Sequence, residues 1–219
     1  DQRLYRHSFG APPEPITPEP PTPRSLRYAD GRITPDGRWL ICVRERHEAN
    51  GVSNELVALP TDGATPPQII AEGYDFYAFP RISPDGRRLA WLAWRHPQLP
   101  WDGTELWVAE LQADATLHKP QRIAGGPTES IFQPEWRSDG MLYFVSDRTN
   151  WWNLYRVVAG ESEAVAPLAA EFGGPQWVFG LSQYTFLADG TIACIYAQEG
   201  FDYLGLIASD SHHVQPIPC

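Results

Sequence analysis

The serine that comes nearest to a catalytic nucleophile is Ser182, in the stretch Gly180-Leu181-Ser182-Gln183-Tyr184. A nucleophile at a sharp strand-to-helix turn needs glycine two residues before it and two residues after it, because larger side chains crowd that turn. Tyr184 stands where the second glycine is required. The sequence therefore predicts that Ser182 is an ordinary strand or loop residue.

The histidines do not complete a metal site. His47-Glu48-Ala49-Asn50-Gly51 lacks the second histidine of a zinc-protease helix. His212 and His213 are adjacent, so on a strand their side chains would point to opposite faces. Catalytic carboxylate pairs cannot be recognised from spacing in the chain alone. The sequence predicts no catalytic residue in this chain and neither a metal nor another cofactor.

A repeat of about 50 residues organises the chain. Asp-Gly pairs lie between apolar stretches and are 49, 54 and 50 residues apart. Such pairs favour tight hairpin turns, in which the backbone adopts positive φ angles. Each pair is therefore predicted to join two antiparallel strands. The four pairs are Asp36-Gly37, Asp85-Gly86, Asp139-Gly140 and Asp189-Gly190.

A second marker has the same period and falls in apparent third strands: Leu4, Leu56, Leu106, Leu154 and Leu204. Units of four antiparallel strands, with no sustained helical period, predict an all-β fold, a β-propeller of about four four-stranded blades. We place the blades at 25–73, 74–126, 127–172 and 173–219, after two strands of a preceding blade in 1–17. Ala11 to Pro23 holds seven prolines and is predicted to be an extended crossover.

Composition excludes several classes of protein. The formal net charge of −10 opposes binding to nucleic acid or anionic membranes. No apolar run approaches the roughly 20 residues that cross a bilayer, and no signal peptide is recognisable. Cys42, Cys194 and Cys219 are odd in number and widely spaced, so no disulfide framework is indicated. The sequence predicts a soluble, cytoplasmic protein, and its first residue, Asp1, suggests a fragment of a longer chain.

Longer motifs resemble a known family. Thr34-Pro35-Asp36-Gly37-Arg38 is similar to turns shared by TolB propellers and prolyl oligopeptidase-family propellers. The stretches 96–107, 144–155 and 171–180 resemble bacterial peptidases of the acylaminoacyl-peptidase or dipeptidyl aminopeptidase type. The resemblance implies a propeller that controls access to an α/β-hydrolase domain with a Ser-Asp-His triad. That catalytic domain is absent from this sequence, so we expect the chain alone not to hydrolyse aminoacyl substrates.

A binding site is predicted along the propeller's central channel, which the innermost strand of each blade faces. Glu129 and Gln133 are the predicted polar contacts to a peptide. The resemblance implies that such a glutamate pairs with the peptide ammonium; the alternative is a solvated carboxylate without a ligand. Tryptophans in predicted loops form a hypothetical aromatic wall toward the catalytic domain, although packing between blades would explain them equally well. They are Trp94, Trp101, Trp151 and Trp152.

Two other functions remain open from the sequence. A TolB-like propeller would bind a protein partner without catalysis, and a lectin-like propeller would bind a sugar or another small molecule. The tryptophan-rich loop at 94–101 has no clear copy in the other blades, whereas a sugar-binding propeller would repeat it. We also expect four blades that do not close a ring to expose apolar faces, through which chains would self-associate.

Overall fold

The structure is a computed structural model that describes residues 1–218, so Cys219 lies outside the described residues. Every helix or strand in the described part of the chain is a β-strand. Four sheets each contain four antiparallel strands, paired in chain order. This arrangement confirms the predicted all-β propeller fold, and each sheet is called a blade below.

The strands of the four blades follow one another without a crossover inside any sheet. The first blade consists of β3 (Leu26–Ile33), β4 (Trp39–Glu48), β5 (Gly51–Pro60) and β6 (Gln68–Ala71). The second consists of β7 (Phe76–Ile82), β8 (Arg88–Trp94), β9 (Glu105–Leu111) and β10 (Leu117–Gly125). The third consists of β11 (Ile131–Trp136), β12 (Leu142–Ser146), β13 (Asn153–Val158) and β14 (Glu161–Ala164). The fourth consists of β15 (Tyr184–Phe186), β16 (Ile192–Gln198), β17 (Phe201–Ile207) and β18 (Gln215–Pro216).

A two-stranded sheet precedes the first blade, as predicted. It pairs β1 (Tyr5–Arg6) with β2 (Glu14–Pro15) in antiparallel register. Leu4 and Ile16, beside these strands, pack against buried residues of the first blade. The short sheet thus covers part of the face of the first blade that is turned away from the second blade.

The core lies between neighbouring blades rather than inside one of them. In β8, Leu89, Trp91 and Ala93 pack toward the first blade. The residues between them, Ala90 and Leu92, belong to the core shared with the third and fourth blades. Since side chains alternate along a strand, a strand buried on both faces has a continuous apolar sequence. This explains the uninterrupted run Leu89-Ala90-Trp91-Leu92-Ala93.

The Asp-Gly turns differ in backbone conformation from a tight hairpin turn in which both residues of the pair have positive φ. Only the glycines have positive φ, between 71° and 84° at Gly37, Gly86, Gly140 and Gly190. The turn also includes the residues around the pair, since the Gly86 N–H donates to the Ser83 carbonyl and the Ser83 N–H to the Arg88 carbonyl. Asp85 accepts hydrogen bonds from the Ser83 hydroxyl and the Arg87 N–H, which lower its pKa. The aspartate therefore contributes a side-chain acceptor and the glycine contributes the backbone conformation.

Replacing Gly86 by valine is expected to lower the free energy of unfolding by about 1–3 kcal/mol, because a β-branched residue resists positive φ. The cost is conformational, since a Cβ at this position would meet only Pro35 at 3.5 Å, an ordinary contact. Urea denaturation measures the change. Gly174→Val is the matched control, since Gly174 has neither positive φ nor a nearby atom that a Cβ would meet. Equal midpoints for the wild type and Gly86→Val would contradict the turn assignment.

Candidate functional site

The innermost strands of the first three blades share a β-bulge. The register of each strand against its neighbour shifts after Ala29, Ala78 and Phe132. The next residue has positive φ in all three: 53° at Asp30, 51° at Phe79 and 46° at Gln133. A bulge leaves a residue outside the ladder and re-aims its side chain. The side chains of these three residues therefore depart from the regular alternation of side chains between the two faces of the strand.

The bulge residues connect neighbouring blades. An Asp30 carboxylate oxygen accepts a hydrogen bond of 2.6 Å from the Phe79 N–H. The Phe79 ring contacts Phe132 edge-on, with centroids 5.9 Å apart. Gln133 then bonds to the fourth blade, where its Oε1 accepts from the Gln183 N–H at 2.6 Å. Polar and aromatic contacts thus join the four innermost strands in sequence.

Gln133 has a different role from the predicted peptide contact. Its residue surface is 2% exposed. Nε2 donates to Ser182 Oγ and to the Tyr184 carbonyl, and Oε1 accepts from the N–H groups of Gln183 and Tyr184. All donor and acceptor positions of the amide are therefore used within the protein. The Gln133 side chain joins the third blade to the fourth and leaves no hydrogen-bonding position for a peptide.

A buried arginine connects three blades along the same wall. The Arg81 side chain is 5% exposed, and its Nε donates to Glu135 in the third blade at 2.6 Å. Its Nη1 lies 3.4 Å from Asp30 in the first blade, where the carboxylate is 1% exposed. The guanidinium also lies 4.7 Å from the centre of the Phe79 ring. Arg81 carries no recognisable signal in the sequence, since its partners are about one blade away in the chain.

Glu129 lies at the rim, just before β11. Its Oε1 accepts hydrogen bonds from the Ser146 hydroxyl at 2.6 Å and Arg148 Nε at 2.9 Å, and Arg148 Nη2 lies 2.7 Å away. The carboxylate is 23% exposed on the side-chain scale. Its second oxygen, Oε2, has no hydrogen bond within residues 1–218. That oxygen is available to an added cation, and Glu129 remains a predicted peptide contact.

Asp147 places a second carboxylate beside Glu129. Its Oδ1 accepts the Ser130 N–H at 2.8 Å. Burial raises the pKa of Asp147, and the negative charge of Glu129 raises it further. Arg148 pairs with Glu129, whereas Asp147 forms no salt bridge within residues 1–218, so its negative charge is not balanced by an ion pair. The sequence did not reveal this pair because Glu129 precedes β11 and Asp147 follows β12, 18 positions later in the chain.

Trp177, which is exposed, and Trp101, which is half-buried, form an aromatic pair at the same rim. Their ring centroids are 4.4 Å apart. Gln176 anchors the loop that carries Trp177, because its side chain donates to the Ile131 carbonyl at the start of β11. Trp177 is 74% exposed, and Val178 and Phe179 after it are also exposed. Trp101 was predicted from the sequence as an interface residue, but its partner Trp177 was not.

The other tryptophans that were predicted to form the aromatic wall lie in different environments. Trp94 stacks on Phe76 with centroids 5.4 Å apart and packs against the core. Trp152 meets Phe132 edge-on and packs against the same core. These two side chains have packing roles, which the alternative interpretation anticipated. Trp151 is 41% exposed and remains, with Trp101, a predicted interface residue.

The remaining side chains that could take part in a reaction or bind a metal are engaged in polar contacts within the protein. Ser182 Oγ accepts from Gln133 and donates to the Tyr184 carbonyl. His47 Nε2 lies 2.5 Å from Glu45, and His212 Nδ1 lies 3.0 Å from the Val165 carbonyl. Within residues 1–218, no cluster of three His, Cys, Asp or Glu side chains is arranged for a metal ion. The same residues include no helix with the length and apolar character needed to cross a membrane.

Comparison with known proteins gives matches among solved structures. No family model matches the chain, and no match is found among curated proteins. The chain is 37% identical to a puromycin-hydrolyzing peptidase of Mycobacterium tuberculosis, with a TM-score of 0.92 over 100% of this chain and 35% of that chain. A puromycin hydrolase is 35% identical, with a TM-score of 0.90 and the same coverage of both chains. TolB of Acinetobacter baumannii, 18% identical with a TM-score of 0.59 over 94% of this chain and 46% of that chain, shows the fold alone.

The four blades, the bulged inner strands and the acidic, aromatic rim define a β-propeller with a polar inner wall. The peptidase structures confirm the resemblance to prolyl oligopeptidase-family propellers that the sequence predicted, and this chain matches them along its whole length. It spans about a third (35%) of the length of these peptidases.

Proposed function

We propose that this chain is the substrate-recognition and gating propeller of a serine peptidase that hydrolyses short peptides, of aminopeptidase or acylaminoacyl-peptidase type. The observation that carries the proposal is the 37% identity to a puromycin-hydrolyzing peptidase along the whole of this chain. In this proposal an α/β-hydrolase domain supplies the nucleophile and its base. The propeller supplies recognition and a barrier to large substrates, in the cytoplasm.

The acidic rim supports recognition of a peptide amino terminus. Glu129 Oε2 is free to accept, and Asp147 adds a second negative charge next to it. An ammonium group presents three donors, and charge-assisted hydrogen bonds to carboxylates are stronger than neutral ones. Arg148 holds the Glu129 side chain in place through Oε1. The site is thus positioned before a ligand arrives, which lowers the entropic cost of binding.

The aromatic rim supports docking of the catalytic domain. Trp177, Val178 and Phe179 form a continuous exposed apolar run on an anchored loop. Exposed apolar patches of this kind mark interaction surfaces. Tryptophan is enriched at the centres of protein interfaces. The proposed docking surface consists of Trp101, Trp151, Trp177, Val178 and Phe179.

The proposal is tested by titrating the chain with a short peptide that has a free amino terminus and with its N-acetylated counterpart, using calorimetry. We expect the free peptide to bind more tightly. Glu129→Gln should weaken its binding about tenfold, the equivalent of about 1.4 kcal/mol for one charge-assisted contact. Equal affinities for the two peptides, or no binding of either, would overturn the assignment of recognition to this rim.

Glu163→Gln is the matched control. Glu163 is also a carboxylate paired with an arginine of the third blade, Arg156, but it lies on the outer strand β14. Its replacement should leave both affinities unchanged. An equal loss in Glu129→Gln and Glu163→Gln would mean that net charge, and not the rim, determines binding.

A further inference from the structure

A second site lies away from the channel, at the outer boundary between the first and second blades. A cavity of about 250 Å³ opens there between the end of β6 and the strands β9 and β10. Four aromatic residues line it, and a carboxylate, Glu72, lies at its edge. The aromatic residues are Tyr74, Tyr77, Trp91 and Trp107.

Hydrogen bonds hold these rings in fixed orientations. Glu105 Oε2 accepts from the Tyr74 hydroxyl at 2.6 Å and from Trp107 Nε1 at 2.9 Å. The Tyr77 hydroxyl oxygen accepts the Tyr74 N–H at 3.1 Å. Trp91 is buried and stacks with Trp107, with centroids 6.3 Å apart. The aromatic lining is therefore rigid, and a ligand would not need to order it.

The third blade provides an internal comparison. Its second and third strands pair Phe144 with Tyr155, as those of the second blade pair Trp91 with Trp107. Both pairs are stacked, at 5.8 Å in the third blade. The Arg148 guanidinium lies 4.8 Å from the Tyr155 ring centre and 5.8 Å from that of Phe144. In the third blade a cation of the chain thus covers the aromatic pair, whereas in the second blade the pair borders the cavity.

Glu72 is the one charged residue among those that line the cavity. Glu72 is exposed and forms no salt bridge in the described part of the chain. Glu105 is shared between its ring donors and Arg122, 3.4 Å away. The Arg95 guanidinium lies 4.2 Å from the centre of the Tyr74 ring, so a cation of the chain already contacts that ring. Arg95 is not among the residues that line the cavity.

We propose that this cavity binds a small methylated ammonium group, of the size of choline or a trimethylated amine. A quaternary ammonium is weakly hydrated and is attracted to the faces of tryptophan and tyrosine rings. The rings of the second blade provide these faces, and Glu72 provides the opposite charge. The site is independent of the rim at Glu129 and of the proposed peptidase function.

The test is calorimetric titration of the 219-residue chain with choline and with 3,3-dimethylbutan-1-ol, its neutral counterpart of the same shape. We expect choline to bind about tenfold more tightly, since the neutral compound lacks the attraction to the ring faces. Trp107→Leu should abolish the difference between the two ligands. Glu72→Gln, an exposed change that leaves the core intact, should weaken choline binding about fivefold by removing the opposing charge.

Two outcomes would overturn the proposal. One is equal affinity for both compounds. The other is no choline binding at a choline concentration of about 10 mM, because the cation–aromatic contacts should give a dissociation constant below this concentration. Trp177→Leu and Glu163→Gln are the controls, because they remove an exposed tryptophan and an exposed carboxylate elsewhere. Neither should alter choline binding. If they weaken it as much as the cavity variants do, binding is not located at this cavity.

Discussion

Replacing Arg81 by alanine is expected to lower the free energy of unfolding by about 3–5 kcal/mol, the cost of breaking a buried ion pair on one side. The change removes the nearer of two arginines from the Asp30 carboxylate, which is 1% exposed, and leaves only Arg32, whose Nη1 lies 3.9 Å away. It also removes the bond to Glu135 and the contact with the Phe79 ring. Chemical denaturation measures the change. Arg81 lies in the second blade and contacts both the first and the third. Its replacement should therefore also lower the cooperativity of the unfolding transition.

Two variants separate the charge effect from loss of packing. Arg122→Ala removes an exposed arginine, paired with Glu105 at 3.4 Å, and should cost less than about 1 kcal/mol. Asp30→Asn in the Arg81→Met background removes the buried charge and should restore part of the lost stability. A loss below about 1 kcal/mol in Arg81→Ala would contradict a central role for this ion pair.

The 219-residue chain is expected to self-associate at micromolar concentration through the outward face of the fourth blade. Ile195 and Leu204 are directly paired across β16 and β17, and they are 46% and 39% exposed. The adjacent pair, Ala193 and Leu206, extends the same face. Burying each large apolar side chain contributes about 1.5–3 kcal/mol. Sedimentation velocity should show species larger than a monomer whose proportion rises with concentration.

Ile195→Asp tests this assignment, because association would bury its charge. We expect a monomer at concentrations where the wild-type chain associates. Val52→Asp is the control, since Val52 is 55% exposed but lies at the start of β5 in the first blade. A wild-type chain that stays monomeric throughout, or an equal effect of the two variants, would refute association through the fourth blade.

The architecture was predictable because its signals are local in the sequence. Each Asp-Gly pair determines a turn through the backbone of a single glycine, and alternating or continuous apolar runs determine the strands beside it. Leu56, Leu106 and Leu154 are buried as their shared position in third strands suggests. Leu204 is more exposed because no further blade covers it within the described residues.

The site was less predictable because it depends on contacts between blades. Gln133 follows Phe132 in an apparently regular strand, and its role appears only with the fourth blade beside it. One signal was present in the sequence: Pro80 and Pro134 directly follow bulge residues. Proline cannot donate to a ladder, so within a strand it marks an edge or a bulge. Asp147 and Arg81 carried no such signal.

The contacts along the inner wall also bear on the order in which the chain folds. Each joins residues about one blade apart: 49 positions from Asp30 to Phe79, 54 from Arg81 to Glu135 and 51 from Gln133 to Tyr184. Closing loops of similar, moderate length costs similar entropy. During synthesis, which proceeds from the amino terminus, each blade can dock on its predecessor as soon as it emerges. Vectorial assembly on the ribosome is therefore compatible with every one of these contacts.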